Sequence, residues 1–207
     1  MLISEVIAGT PIVPVVVIDD VEAAVPLAET LCNAGITVIE ITLRTPQALP
    51  AIRRIAKEVP AMSVGAGTVW NRDDLNAVID AGASFGVSPG CPAPLLSAIA
   101  DSHLPFLPGA QTATEMAAIA SCGFEMAKFF PAEPAGGTAA LKSIADVHPN
   151  LRFCPTGGIG EHNFKNYLAL PSVPCVGGSW ITPRSLISGF DWESIDSLCT
   201  AALRLLQ

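Results

Sequence analysis

Short apolar, β-branched runs recur along the chain. They predict strands near Ile12–Ile18, Thr37–Leu43, Met62–Gly67, Phe85–Ser88, Leu104–Pro108, Met126–Phe130, Arg152–Thr156 and Cys175–Gly178. Between most of them lie longer segments rich in Ala, Leu, Ile and Glu, with apolar residues at helical spacing. Gly35, Gly82 and Gly123 each close an Ala-rich helical segment just before a strand, where a left-handed turn is expected. Asp19 or Asp20, Asn71, and Thr112 or Thr114 stand where a side-chain oxygen would cap the free N–H groups of a helix start. Strand–helix alternation of this kind implies an α/β protein with a parallel sheet. No low-complexity linker interrupts it, so residues 1–207 are read as one domain. Alternation alone fits an open doubly wound sheet as well as a closed barrel. Eight repeats of roughly even length favour a single (β/α)8 TIM barrel, a fold that needs about 200 residues or more.

Composition narrows the picture. Hydrophobic residues make up 50% of the 207 and charged residues 14%. That is ample for one large core, and the scarcity of surface charge points to buried subunit contacts. The formal net charge of −8 and the lack of basic runs argue against nucleic acid as a partner, because phosphate neutralisation needs clustered Lys and Arg. Any anion must be bound by a local site. The six cysteines form no CxxC pair and no zinc spacing; they read as reduced core residues of a cytoplasmic protein. Met1 to Glu5 carry no basic leader region, and the longest apolar stretch, Ile12 to Ile18, is too short to span a membrane. The three histidines fall in expected loops or helix ends. No metal site or dinucleotide fingerprint is expected.

Strand parity locates the candidate chemistry. In Val38–Arg44, Ile39, Ile41 and Leu43 share one face, and Glu40, Thr42 and Arg44 share the other. The apolar face suits a helix layer, so the polar face points inward. Buried Glu and Arg are expensive unless paired or used. They read either as a structural ion pair or as a general acid/base with an anion clamp. In Met126–Phe130, Lys128 shares the inward face with Met126 and Phe130. Desolvation and a nearby cation would lower the pKa of such a lysine and free its amine to attack a carbonyl. The alternatives are that Lys128 reaches out at the strand end or pairs with Glu40. Glycine-rich turns follow the last two expected strands, Thr156-Gly157-Gly158-Ile159-Gly160 and Gly177-Gly178-Ser179-Trp180. Together they suit a phosphate site, since loops in this position of a barrel often form one. Gly65-Ala66-Gly67-Thr68 is a weaker signal, with Thr68 a possible ligand contact.

The segments Glu40–Thr45, Val64–Val69, Ser88-Pro89-Gly90, Lys128–Glu133, Arg152–Ile159 and Gly177–Trp180 closely resemble the 2-keto-3-deoxy-6-phosphogluconate (KDPG) aldolase family. That family includes enzymes acting on 4-hydroxy-2-oxoglutarate. The resemblance runs from the first strand to the last helix. It implies a metal-independent, cofactor-free class I aldolase on a (β/α)8 barrel, a homotrimer acting on a phosphorylated 2-oxo acid and releasing pyruvate. It implies Lys128 as the Schiff-base lysine and Glu40 as the general acid/base. Arg44 and Thr68 would hold the pyruvyl carboxylate, with Pro89 also in the binding site. Thr156 would meet the reacting hydroxyl and Phe130 would pack on the imine. Gly157, Gly158, Gly178 and Ser179 would hold the phosphate. The loop Pro134–Gly137 and the Cys91-Pro92 turn depart from the family's pattern. A metal-dependent or paired-base isomerase fits less well, because one inward Glu stands without a partner set. A non-catalytic barrel would bury Lys, Glu and Arg at a cost in stability for no return.

Overall fold

The computed structural model describes residues 2–206. The strands are β1 (Ile12–Val16), β2 (Val38–Thr42), β3 (Ser63–Gly67), β4 (Phe85–Val87), β5 (Phe106–Leu107), β6 (Gly109–Ala110), β7 (Met126–Phe129), β8 (Arg152–Pro155) and β9 (Val176–Gly178). The helices are α1 (Ile3–Val6), α2 (Ala24–Asn33), α3 (Ala48–Glu58), α4 (Arg72–Asp80), α5 (Ala93–Ala100), α6 (Ala113–Ser121), α7 (Gly137–Val147), α8 (Phe164–Leu168), α9 (Arg184–Ser188) and α10 (Trp192–Arg204). All strand pairing is parallel, in the orders β5-β4-β3-β2-β1-β9 and β6-β7-β8. A parallel bridge between Thr156 and Gly177 links the end of β8 to β9. The fold is therefore α/β, with helices following the strands of a parallel sheet.

One expected strand is corrected. Within Leu104–Pro108 only Phe106–Leu107 is a strand, and a further short strand, Gly109–Ala110, follows Pro108 beyond the expected range. Proline has no N–H to give a ladder, although its carbonyl accepts from the Lys128 N–H at 2.9 Å. The other strands lie inside their expected ranges, and several stop a residue or two early, as at Val16 and Thr42. Helix ends follow the expected signals. Asn71 caps α4 by accepting from the Asp74 N–H, and Thr112 forms a reciprocal capping box with Glu115 on α6. Asp20, rather than Asp19, caps the short 3-10 turn Val21–Ala23.

Strand parity divides the core into two clusters. One lies between sheet and helices, where Ile39, Ile41, Val64, Phe129 and Phe153 meet Leu27, Ile52 and Ile55. The other takes the opposite strand faces: Val13, Val38, Val87, Leu107, Met126 and Cys154, packed with Ile3 and Ile7. The start of the chain, α1 and the turn after it, thus covers one end of this inner face with apolar side chains. Glu40 and Lys128 lie two residues along from Val38 and Met126 on the same faces, which brings them together beyond the apolar plug.

Candidate active site

The centre of the site is a buried pair. Lys128 Nζ lies 3.0 Å from Glu40 Oε1 and 3.2 Å from Oε2. The two residues are 4% and 3% exposed. Of the readings open for these residues, the Glu40–Arg44 ion pair is not formed, and the pairing of Lys128 with Glu40 is. A carboxylate held this close to an amine can also pass protons to and from it, so the contact is compatible with chemistry as well as with structure. Phe130 stands beside the pair, its ring centroid 5.5 Å from Nζ.

The backbone around the pair is shaped to admit it. A Cβ on Gly67 would fall 2.1 Å from Glu40 Oε1, so only glycine leaves that carboxylate its place. Gly177 likewise leaves room for the Thr156 hydroxyl. That hydroxyl is buried and has no partner in the protein among the described residues. Buried polar atoms without partners are uncommon and call for a water or a ligand. Thr68 adopts a left-handed conformation, φ +67°. For a β-branched residue this is strained, and such strain gathers at functional sites.

These groups open into a cavity of about 430 Å³, the size of a small-molecule site. Every residue expected at the site lines it: Glu40 and Lys128 in the strands, Arg44, Thr68, Pro89, Phe130 and Thr156 just past strand ends, and Gly157, Gly158, Gly178 and Ser179 at the two glycine turns. The carboxyl ends of parallel strands are where such sites form. Arg44 differs from expectation in one respect. It stands in the turn after β2 and is exposed, because the strand ends at Thr42; it reaches the cavity from its rim.

Sequence reasoning missed Val15, Val17, Thr182, Pro183 and Arg184, which also line the cavity. Arg184 begins α9 and pairs through its Nε with Asp19 Oδ2 at 2.6 Å. The signal was available, since a closed sheet would put the loops after the first and last strands side by side. The cysteine expectation needs correcting too. Cys154, Cys175 and Cys199 are buried, Cys32 and Cys91 are half-buried, and Cys122 is exposed just past the end of α6. His103 and His162 are exposed, and His148 is half-buried with Nε2 3.0 Å from the Ala113 carbonyl. Among the described residues, no cluster of His, Cys, Asp and Glu is arranged to hold a metal ion, and no helix is long and apolar enough to cross a membrane.

A family model described as KDPG and KHG aldolase matches residues 3–198. The chain belongs to the KDPG and KHG aldolase family. Within it, the chain is 47% identical over 193 residues to the KHG/KDPG aldolase of Escherichia coli K12, covering 93% of this chain and 91% of that one. It is 46% identical over 199 residues to the 2-dehydro-3-deoxy-phosphogluconate aldolase of Dickeya dadantii, covering 96% and 93%. The crystal structure of KDPG aldolase from Legionella pneumophila superimposes with a TM-score of 0.95 at 44% identity, covering 98% of each chain. In that aldolase, pyruvate is captured at low pH as a covalent carbinolamine intermediate.

Proposed function

We propose that this protein is a class I aldolase that cleaves 2-keto-3-deoxy-6-phosphogluconate to pyruvate and glyceraldehyde 3-phosphate through an imine on Lys128. The observation that carries this reading is the buried Lys128–Glu40 contact at the base of the cavity. A carbinolamine is the adduct of an amine and a carbonyl, so the captured pyruvate of the Legionella relative supports the same chemistry here. The chain is read as one domain whose two sheets form a closed (β/α)8 barrel. The Thr156–Gly177 bridge and the single-residue break at Pro108 support closure, because they leave β8 next to β9 and β5 one residue from β6 along the chain. A cytoplasmic homotrimer is the assembly the family resemblance favours.

The steps balance around one carboxylate. Glu40 accepts a proton from the Lys128 ammonium across their 3.0 Å contact, leaving a neutral amine. The amine attacks the substrate's C2 carbonyl. Protonated Glu40 returns its proton to the carbinolamine hydroxyl, which leaves as water and gives an iminium ion. Glu40 then takes the proton of the C4 hydroxyl. The C3–C4 bond breaks, its electron pair enters the C2–C3 enamine, and glyceraldehyde 3-phosphate departs. Protonation at C3 and addition of water release pyruvate and restore the amine. One carboxylate serves each transfer because they occur in sequence. Arg44 and Thr68 hold the pyruvyl carboxylate and aim the carbonyl at the amine. Phe130 and Pro89 wall the imine, and Thr156 supplies its unpartnered hydroxyl to the reacting oxygen. Gly157, Gly158, Gly178 and Ser179 receive the phosphate, which contributes binding energy remote from the reacting bond.

A second substrate, 4-hydroxy-2-oxoglutarate, is favoured by the paired name of the Escherichia coli relative. It would use the same lysine and release glyoxylate. Following pyruvate release from each substrate in a coupled assay tests both. Turnover of the phosphorylated substrate that Glu40→Gln lowers by about 10²-fold or more is expected; no pyruvate from either substrate would overturn the reading.

A further inference from the structure

Three cations line the cavity: Arg44, Lys128 and Arg184. The carboxylate takes up Arg44 and the imine takes up Lys128. The phosphate, the most highly charged group of the substrate, is left with backbone N–H groups and the Ser179 hydroxyl. The chain's net charge of −8 makes the surrounding field unfavourable to a dianion. A local cation is therefore expected where the phosphate docks.

Arg184 is placed for this. It follows Ser179 by five residues and begins α9, at the edge of the same cavity. Its guanidinium is held by Asp19, Nε to Oδ2 at 2.6 Å and Nη2 to Oδ1 at 2.5 Å. The two side chains are 62% and 37% exposed, so solvent screens the pair and it opens at little cost. A phosphate offers the same bidentate geometry with more charge, and arginine's planar fork matches it. The segment that carries Arg184 also holds two buried polar atoms without a protein partner among the described residues: the hydroxyl of Thr182, itself 2% exposed, and the indole Nε1 of Trp180. Both residues line the cavity. Such orphaned groups mark a place that water or a ligand completes.

We propose that Arg184 is a specificity-determining residue: it leaves Asp19 to bind the substrate's phosphate, and Asp19 parks it at the cavity mouth until then. This assignment rests on the aldolase chemistry proposed above. It gives the enzyme a preference for phosphorylated over unphosphorylated 2-oxo acids that the glycine turns alone would not provide.

The test compares kcat/KM for 2-keto-3-deoxy-6-phosphogluconate with that for 4-hydroxy-2-oxoglutarate in the full-length protein. Arg184→Gln should lower the ratio of the two by about 10- to 100-fold, mainly through KM for the phosphorylated substrate. Arg184→Lys should recover part of the loss. Asp19→Asn, which also breaks the ion pair but keeps the guanidinium, should not lower the ratio. A ratio within threefold of wild type in Arg184→Gln would overturn the proposal. So would an equal drop in Asp19→Asn, because the ion pair would then be holding the loops rather than masking a ligand group. Borohydride trapping of pyruvate separates the two levels of failure. Trapping in wild type and Arg184→Gln with no change in ratio sinks only the role of Arg184, whereas no trapping in wild type sinks the aldolase reading itself.

Discussion

Gly67 leaves the space that the carboxylate of Glu40, the proposed acid/base, occupies. Its Cα faces Glu40 so closely that a methyl group there would lie 2.1 Å from Oε1 and 2.8 Å from Cδ. Glu40 is itself buried against Lys128. Gly67→Ala should therefore displace the carboxylate from the amine and lower kcat by about 100-fold, the scale of losing a positioned acid/base. Its circular dichroism spectrum should stay that of the wild type. Turnover within threefold of wild type would show that Glu40 tolerates displacement. At this scale the sequence was informative where alternation held. Glu40 and Lys128 could be placed inward because their apolar neighbours Ile39, Ile41, Ala127 and Phe129 fill the opposite face. Arg44 was harder to place, because parity stops having meaning once the strand ends at Thr42. Arg184 carried no local signal: its ion-pair partner, Asp19, lies 165 residues away in the chain.

Among the elements, α6 has the most fully satisfied start. The Glu115 carboxylate accepts from the Gln111 N–H at 2.9 Å and from the Thr112 N–H and hydroxyl at 2.8 Å each, while Thr112 accepts from the Glu115 N–H. These donors, the Gln111 N–H foremost, hold the Glu115 carboxyl below its ordinary value of 4.5. A carboxyl whose folded pKa is lowered adds stability that is complete above the ordinary value and disappears as pH falls through the lowered one. Urea midpoints at pH 7 and pH 3 should show it. Glu115→Gln, a neutral acceptor at both, should be less stable than wild type at pH 7, and the gap should narrow at pH 3. An equal gap at the two pH values would mean that the charge contributes nothing. The capping residues were legible because Asp, Asn and Thr side chains just before a helical segment can accept from its free N–H groups. The division of the fifth strand was not, because a proline at a strand edge and a proline within a strand look alike in sequence.

In the whole molecule, the parallel sheet sorts its inner face by position along the strands. The amino-terminal side is apolar and covered by Ile3 and Ile7, and the carboxyl-terminal side carries Glu40, Lys128 and the cavity. Strands Val38–Thr42 and Met126–Phe129 lie in different hydrogen-bonded sheets, yet they bring a carboxylate and an amine 88 residues apart to 3.0 Å. Stability and chemistry thus occupy opposite ends of the same surface, which lets loops after the strands vary without loosening the core. This amine is expected to form a covalent adduct with a 2-oxo acid when the protein is incubated with pyruvate and sodium borohydride and the product is mapped by peptide mass spectrometry. A reduced pyruvyl adduct on Lys128 that is missing in Lys128→Ala is the predicted result. An unmodified Lys128, or an adduct carried by Lys142 or Lys165 in its place, would contradict it.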